Sequence, residues 1–271
     1  MDMYVQSNGV RKWIEGFPKR GRLTFSMAEA ENRFPHMTKK AIRSSIYRMI
    51  EAKRVYSVWR GFYAIVPDEH ALMGFVPPIE YIDPLMEHLG HDYYVGLLSA
   101  AAIYGAGHQQ PQTLTVITNS NDIRSKPGNP IIYTAKTSIP KQYLIERHAG
   151  YGKVTLSSPE LTALDLICYE NRIGGLNRAT EVIGELELDF TETGDDLLKQ
   201  FKTPIIQRLG FILDDVLGFD RIGSDLYTKA QAVGVHFRKT LLDPRTHQSD
   251  DISPKNEKWK IAINCALEKE E

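Results

Sequence analysis

Thr38-Lys39-Lys40-Ala41-Ile42-Arg43-Ser44-Ser45-Ile46-Tyr47-Arg48-Met49-Ile50, followed shortly by Val55-Tyr56-Ser57-Val58-Trp59-Arg60-Gly61-Phe62-Tyr63-Ala64-Ile65, decides how the chain is read. In the first stretch apolar residues recur at Ile42, Ile46, Met49 and Ile50, the one-sided spacing of an amphipathic helix. Thr38 can cap its first turn. Lys40, Arg43, Ser44 and Tyr47 fall on the opposite face, at spacings that align side chains along a helix. The second stretch reads as two short strands around an Arg-Gly turn. A basic-faced helix followed by a hairpin is the centre of a winged helix-turn-helix, a module that reads double-stranded DNA.

The residues before it supply the remaining parts. Residues 4–15 carry Val5, Val10, Trp13 and Ile14, a first helix that Gly16 ends. Phe17-Pro18-Lys19-Arg20-Gly21 is a turn, and Arg22-Leu23-Thr24-Phe25 a short strand. Ser26 then Glu29 is capping-box spacing for a second helix over residues 27–34, stopped by Pro35. Helix, turn, helix and hairpin is the order the module requires.

That geometry assigns roles to side chains. The N-terminal part of the second helix of such a pair enters the major groove. Lys39, Lys40, Arg43 and Ser44 sit there. Arg43 is the candidate for a bidentate contact to a guanine edge, because its planar fork fits O6 and N7. Lys39 and Lys40 are expected on phosphates, Tyr47 on a base or a phosphate, and Arg60 at the wing tip on a phosphate or in the minor groove. Arg20 and Arg22 are weaker candidates from the preceding turn. Trp59, Phe62 and Tyr63 are expected to pack within the wing rather than stack on bases.

Charge agrees with this placement. The net charge of −1 conceals 13 Lys and Arg against 5 Asp and Glu in residues 1–66, and 20 against 29 in residues 67–271. Only the first quarter is built to meet a polyanion. The length of 271 residues and 42% hydrophobic content fit two globular units. We expect an α+β protein: a winged helix-turn-helix over residues 1–70, a Pro77-Pro78 connector keeping the two units apart, and a larger mixed α/β domain over residues 78–271. No membrane span or signal peptide is expected. Cys168 and Cys265 are expected as reduced thiols, and the chain as cytoplasmic. Histidines such as His88 and His91 lack zinc-site spacing, so neither metal nor cofactor is expected.

In the second unit, residues 93–105 are apolar nearly all round and read as a buried helix. Strands are expected over residues 113–118, 131–134, 143–146, 153–156, 235–241 and 259–263. Ser157-Ser158-Pro159-Glu160 opens a helix, with Ser158 as cap and proline in the first turn. Asp165 lies among the leucines of that helix and is expected to pair with Arg172 or Arg178. Residues 119–130 and 242–258 read as polar loops, and the tail from residue 268 as frayed. Enzyme signatures are missing: there is no Gly-rich phosphate loop ending in Lys-Ser/Thr, no Gly-x-Ser-x-Gly and no His-Glu-x-x-His. Gly223-Ser224 has no Asp-x-Asp at a suitable distance after it. The adjacent pairs Asp214-Asp215 and Asp250-Asp251 point different ways and make poor metal sites.

The basic helix-turn-helix and hairpin, then Tyr94-Val95-Gly96-Leu97-Leu98-Ser99-Ala100-Ala101, Leu114-Thr115-Val116-Ile117 and Ser158-Pro159-Glu160-Leu161-Thr162-Ala163-Leu164-Asp165-Leu166 resemble the AbiEi-type antitoxins of abortive-infection systems. The resemblance spans nearly the whole chain. It implies a winged helix that represses its own promoter and an antitoxin-like C-terminal domain. It implies a non-enzymatic protein that counteracts a nucleotidyltransferase-like toxin without a stable complex, the type IV toxin–antitoxin pattern. Read from the residues alone, a ligand-responsive transcription regulator without a toxin and a winged-helix-targeted DNA-processing enzyme remain alternatives.

Overall fold

The computed structural model describes residues 2–107, 110–123, 125, 130–245 and 253–267, with backbone alone for residues 2–8. Helix α1 (Asp2–Glu15) leads to strand β1 (Thr24–Ser26), helices α2 (Met27–Arg33) and α3 (Lys39–Glu51), and the hairpin β2 (Val55–Trp59) and β3 (Phe62–Ile65). The capping box forms as its spacing requires: Ser26 Oγ accepts the Glu29 amide at 3.1 Å, and the Glu29 carboxylate accepts the Ser26 amide at 2.7 Å. Thr38 caps α3 by accepting the Ala41 amide at 3.2 Å. Val10, Ile14, Phe25, Ala30, Ile42, Ile46 and Met49 bury a common core between these elements.

The three strands order β1-β3-β2, all antiparallel. Gly61 takes φ +75° in the hairpin turn, a left-handed backbone suited to glycine. Its carbonyl accepts the Met27 amide at 2.8 Å, which fastens the turn to the start of α2.

The hairpin buries both faces. Val55 and Ile65 point to the helices, whereas Phe62, Ala64 and the neighbouring Leu23 join a second core with Val76, Ile82, Leu85, Met86, Val154 and Leu156. Pro77-Pro78 therefore does not hold two units apart. The apolar alternation of the strands leaves a second face that must be covered, and helix α4 (Ile82–Leu89) covers it.

Beyond α4 come β4 (Tyr93–Val95), α5 (Leu97–Ile103), β5 (Leu114–Thr118), β6 (Ile131–Ala135), β7 (Leu144–Ala149) and β8 (Gly152–Ser157). They build a sheet of order β6-β5-β4-β8-β7. β5–β6 and β4–β8 are parallel; β4–β5 and β7–β8 are antiparallel. One face, with Tyr93, Val95 and Val116, packs on α4 and the hairpin. The other, with Tyr94 and Ile117, packs on a helical layer.

That layer holds α6 (Pro159–Cys168), α7 (Glu170–Ile173), α8 (Leu176–Gly184), α9 (Asp195–Lys199), α10 (Thr203–Phe211), a π turn at Ile212–Val216 and α11 (Asp220–Ala232). A small sheet of β9 (Thr240–Leu241), β10 (Lys255–Asn256) and β11 (Ile261–Ala262) closes the chain. Trp259 lies so close over Gly210 that an added Cβ would sit 2.2 Å from its ring. Tyr227 and Phe237 hold the same ring at centroid distances of 5.4 and 5.3 Å.

Two expectations are corrected. Residues 93–105 are strand, then helix. Gly96, extended at φ −133°, stands between them as the residue that precedes the helix, and an apolar run cannot announce such a break. The strands expected at 235–241 and 259–263 shrink to Thr240–Leu241 and Ile261–Ala262, because the flanking aromatics Phe237 and Trp259 pack on each other instead of joining a ladder. Parts of the two polar loops, residues 124, 126–129 and 246–252, and the tail from residue 268 lie outside the described residues.

Candidate nucleic-acid interface

Helix α3 turns one side to the core and the other to solvent. Ile42, Ser45, Ile46 and Met49 are buried, while Lys39, Lys40, Arg43, Ser44, Tyr47 and Arg48 are exposed. Tyr47, 60% exposed, is a large ring with no place in a core. Two lysines in the first turn stand at the positive end of the helix dipole, a placement that costs stability and attracts anions. Glu31 on α2 pairs with Lys39 at 2.8 Å and answers part of that charge. Lys40 and Arg43 are left directed outward. Arg43 lies near enough to Tyr63 to oppose the rise that burial imposes on its phenol pKa.

The remaining candidates divide. Arg60 is exposed in the hairpin turn beside Gly61. Arg22 is committed locally: its guanidinium pairs with Glu29 at 2.6 Å and lies over the Phe17 ring. Burial pushes the Glu29 carboxyl up, but the Ser26 amide and Arg22 outweigh it, so the group titrates below its ordinary value of 4.5. Arg20 is exposed and also lies over Phe17, at 4.8 Å from the ring centre. The structure thus brings Lys39, Lys40, Arg43, Ser44 and Tyr47 onto one helix surface. Arg20 and Arg22 gather instead around Phe17.

Arg48 belongs beside the first set and sequence reasoning passed over it. Its Nε donates to the Ser44 carbonyl at 3.2 Å, one helical turn back. The 44-to-48 spacing is the signal that would have found it. Tyr63 stacks on Phe25 at 5.2 Å and so packs within the wing, whereas Phe62 turns the other way into the core shared with α4, its ring 4.9 Å from that of His88, and Trp59 packs against the same core.

Behind the sheet a second polar constellation is largely enclosed, only Lys136 keeping some exposure. Asp165, 0% exposed, accepts from Lys136 Nζ at 2.8 Å and from the Tyr94 hydroxyl at 2.6 Å. Lys136 also reaches the Tyr94 oxygen at 3.1 Å and lies 4.6 Å from the Phe201 ring centre. Burial pushes the Asp165 carboxyl up, and Lys136 and Tyr94 pull it back. The partners are not those expected: Arg172 donates to Thr134 Oγ1 at 3.1 Å and Arg178 pairs with Glu181 at 2.8 Å. A lysine just past β6 reaches a carboxylate in α6 because α6 packs on the sheet face that carries Tyr94, which helical spacing within α6 cannot reveal.

Among the described residues no group of three or more His, Cys, Asp and Glu side chains is arranged to hold a metal, and no helix is long and apolar enough to cross a membrane. Cys168 and Cys265 are free thiols.

No curated protein matches the sequence. The fold is similar to that of the RV2827C protein from Mycobacterium tuberculosis, with a TM-score of 0.62 at 13% identity over 92% of this chain and 88% of that one. Residues 94–215 match the model of the AbiEi antitoxin C-terminal domain, a span that contains Tyr94, Lys136 and Asp165. The AbiEi antitoxins are not an enzyme family. Over those residues the match bears out the resemblance to the AbiEi-type antitoxins that the sequence carries.

Proposed function

We propose that the chain is a DNA-binding autorepressor and antitoxin of a type IV toxin–antitoxin system. Residues 1–70 act as a winged helix-turn-helix on the chain's own promoter, with α3 as the recognition helix and Arg60 at the wing tip. Residues 78–271 counteract a nucleotidyltransferase-like toxin without forming a stable complex with it, and without enzymatic activity of their own. The observation that carries the DNA-binding half is the outward face of α3, where Lys40, Arg43, Ser44 and Tyr47 stand exposed beside a turn and a hairpin. The family match over residues 94–215 supports the antitoxin half.

The test keeps the chain whole, because the hairpin and α4 share a core. The neighbouring toxin is expressed with wild type or with Lys40→Ala/Arg43→Ala, both antitoxins made from a foreign promoter. The double variant is expected to lose promoter binding in a gel shift and still rescue growth. Rescue by wild type alone would make protection transcriptional and would overturn the division of labour.

A further inference from the structure

Helix α2 carries two carboxylates, Glu29 and Glu31, and each holds a cation of the N-terminal unit. Glu29 pairs with Arg22 at 2.6 Å and Glu31 with Lys39 at 2.8 Å. Glu29 has a second task, because its carboxylate also accepts the Ser26 amide and completes the capping box. Glu31 caps nothing. Among the described residues its one ion pair is with Lys39, across the turn that joins α2 to α3. The pair is uneven. The Glu31 side chain is 24% exposed and the Lys39 side chain 73%, so a seated carboxylate tethers an ammonium that otherwise stands free in solvent.

Folding gives little reason for the tether, since an ion pair this exposed adds little to stability. On DNA the same pair matters more. Lys39 is the first residue of α3, one turn before Arg43. A phosphate can take Lys39 only by displacing Glu31 or by approaching its carboxylate, and either reduces what the lysine adds. Phosphate contacts supply affinity on any sequence, whereas base contacts supply discrimination. A complex on the wrong sequence can shift along the groove until each free cation meets a phosphate. A complex on the right sequence is fixed by its base contacts. Tethering Lys39 therefore takes more from the first than from the second.

We propose that Glu31 is a positioning residue that sets the selectivity of DNA binding. It keeps Lys39 off the phosphate backbone, and so lowers sequence-independent affinity while the outward face of α3 stays free to dock. Lys39 then acts as half of a neutral pair, not as the phosphate contact that its place in the sequence suggests. The inference rests on the reading of α3 as the recognition helix.

Fluorescence anisotropy on the full-length chain tests it, with a duplex of the chain's own promoter region and a scrambled duplex of the same length, in salt from about 50 to about 200 mM. Glu31→Gln keeps the shape and removes the charge. It is expected to bind the scrambled duplex more tightly than wild type, with a salt slope steeper by about 0.9, so that its gain is about threefold larger at the low-salt end than at the high-salt end. Its gain on the promoter duplex is expected to be smaller, so discrimination between the duplexes falls. Glu51→Gln removes the same charge from an exposed site at the far end of α3 and is expected to leave discrimination unchanged. Lys39→Gln approaches the pair from its exposed side, and its salt slope on the scrambled duplex is expected to match that of wild type. Wild type that binds neither duplex overturns the reading of α3 and this inference with it. With wild type bound, an unchanged slope for Glu31→Gln, equal gains on the two duplexes, the same loss of discrimination from Glu51→Gln, or a slope lower by about 0.9 for Lys39→Gln each overturns this inference alone.

Discussion

Lys136 and Asp165 meet 2.8 Å apart at the boundary between the central sheet and its helical layer, one on the residue after β6 and the other in the middle of α6. Removing one partner of a buried pair leaves a charge without compensation and costs about 3–5 kcal/mol. Lys136→Met is therefore expected to lose about that much, since Asp165 is fully enclosed and keeps only the Tyr94 hydroxyl. Lys136→Met/Asp165→Leu is expected to be more stable than Lys136→Met. A urea-denaturation double-mutant cycle measures the coupling, and purely additive losses would show that the pair acts as two independent groups.

The exposed side chains of α3 differ in what they are expected to read. Arg43→Ala should lose about 1–3 kcal/mol of DNA affinity, concentrated at one operator base pair. Lys40→Ala should weaken binding on all sequences and lower the salt slope by about 0.9. Fluorescence anisotropy across an operator panel and a salt series separates the two. Equal, sequence-blind losses would reduce Arg43 to a backbone contact.

Glu29 gives the N-terminal helices and hairpin a pH dependence. Its folded-state pKa lies below 4.5, so its contribution is fully present above the unfolded value and is lost as pH falls through the folded value. Glu29→Gln should be less stable than wild type at neutral pH, and the gap should close on the acid side of 4.5. Melting both proteins from neutral to acid pH checks this; a gap that widens in acid would reverse the assignment.

Gly210 is fixed by close approach rather than by backbone angle. A Cβ would fall 2.2–2.3 Å from three atoms of the Trp259 ring, which Tyr227 and Phe237 box in and whose Nε1 donates to Asp214 at 2.6 Å. Overpacking of this kind costs about 1–3 kcal/mol, and Gly210→Ala should reach at least the upper part of that range. Gly210→Ala/Trp259→Leu should be less sensitive to the added methyl than wild type is. Thermal unfolding of the four proteins in the cycle decides it.

The sequence made the first 65 residues legible because each element there carries its own boundary chemistry. Ser26 with Glu29, Thr38 before the lysines, Pro35 and the Arg60-Gly61 turn state where elements begin and end. Farther on, Pro159 after Ser158 did the same for α6. What stayed hidden depended on partners distant in sequence. Whether residues 93–95 are strand or helix turns on pairing with Thr118, Ile117 and Val116, and the partner of Asp165 on a lysine 29 residues earlier. The second face of the hairpin was hidden for the same reason. Tyr56, Val58 and Phe62 look like the outer side of a small wing until α4 is brought against them.

That shared face also has a consequence for the order of synthesis. Helix α3 and the hairpin leave the ribosome first, but the core that seats Phe62 and Ala64 includes Val154 and Leu156. Until the chain has grown past those residues, the hairpin has an apolar side with nothing to cover it. A nascent or prematurely terminated chain would hold every exposed side chain of α3 and still lack the surface that covers the hairpin's second face. On the proposed reading of α3, competence to bind DNA would then arrive only after much of the sheet has been made, and truncated products would not occupy the promoter in place of the whole protein.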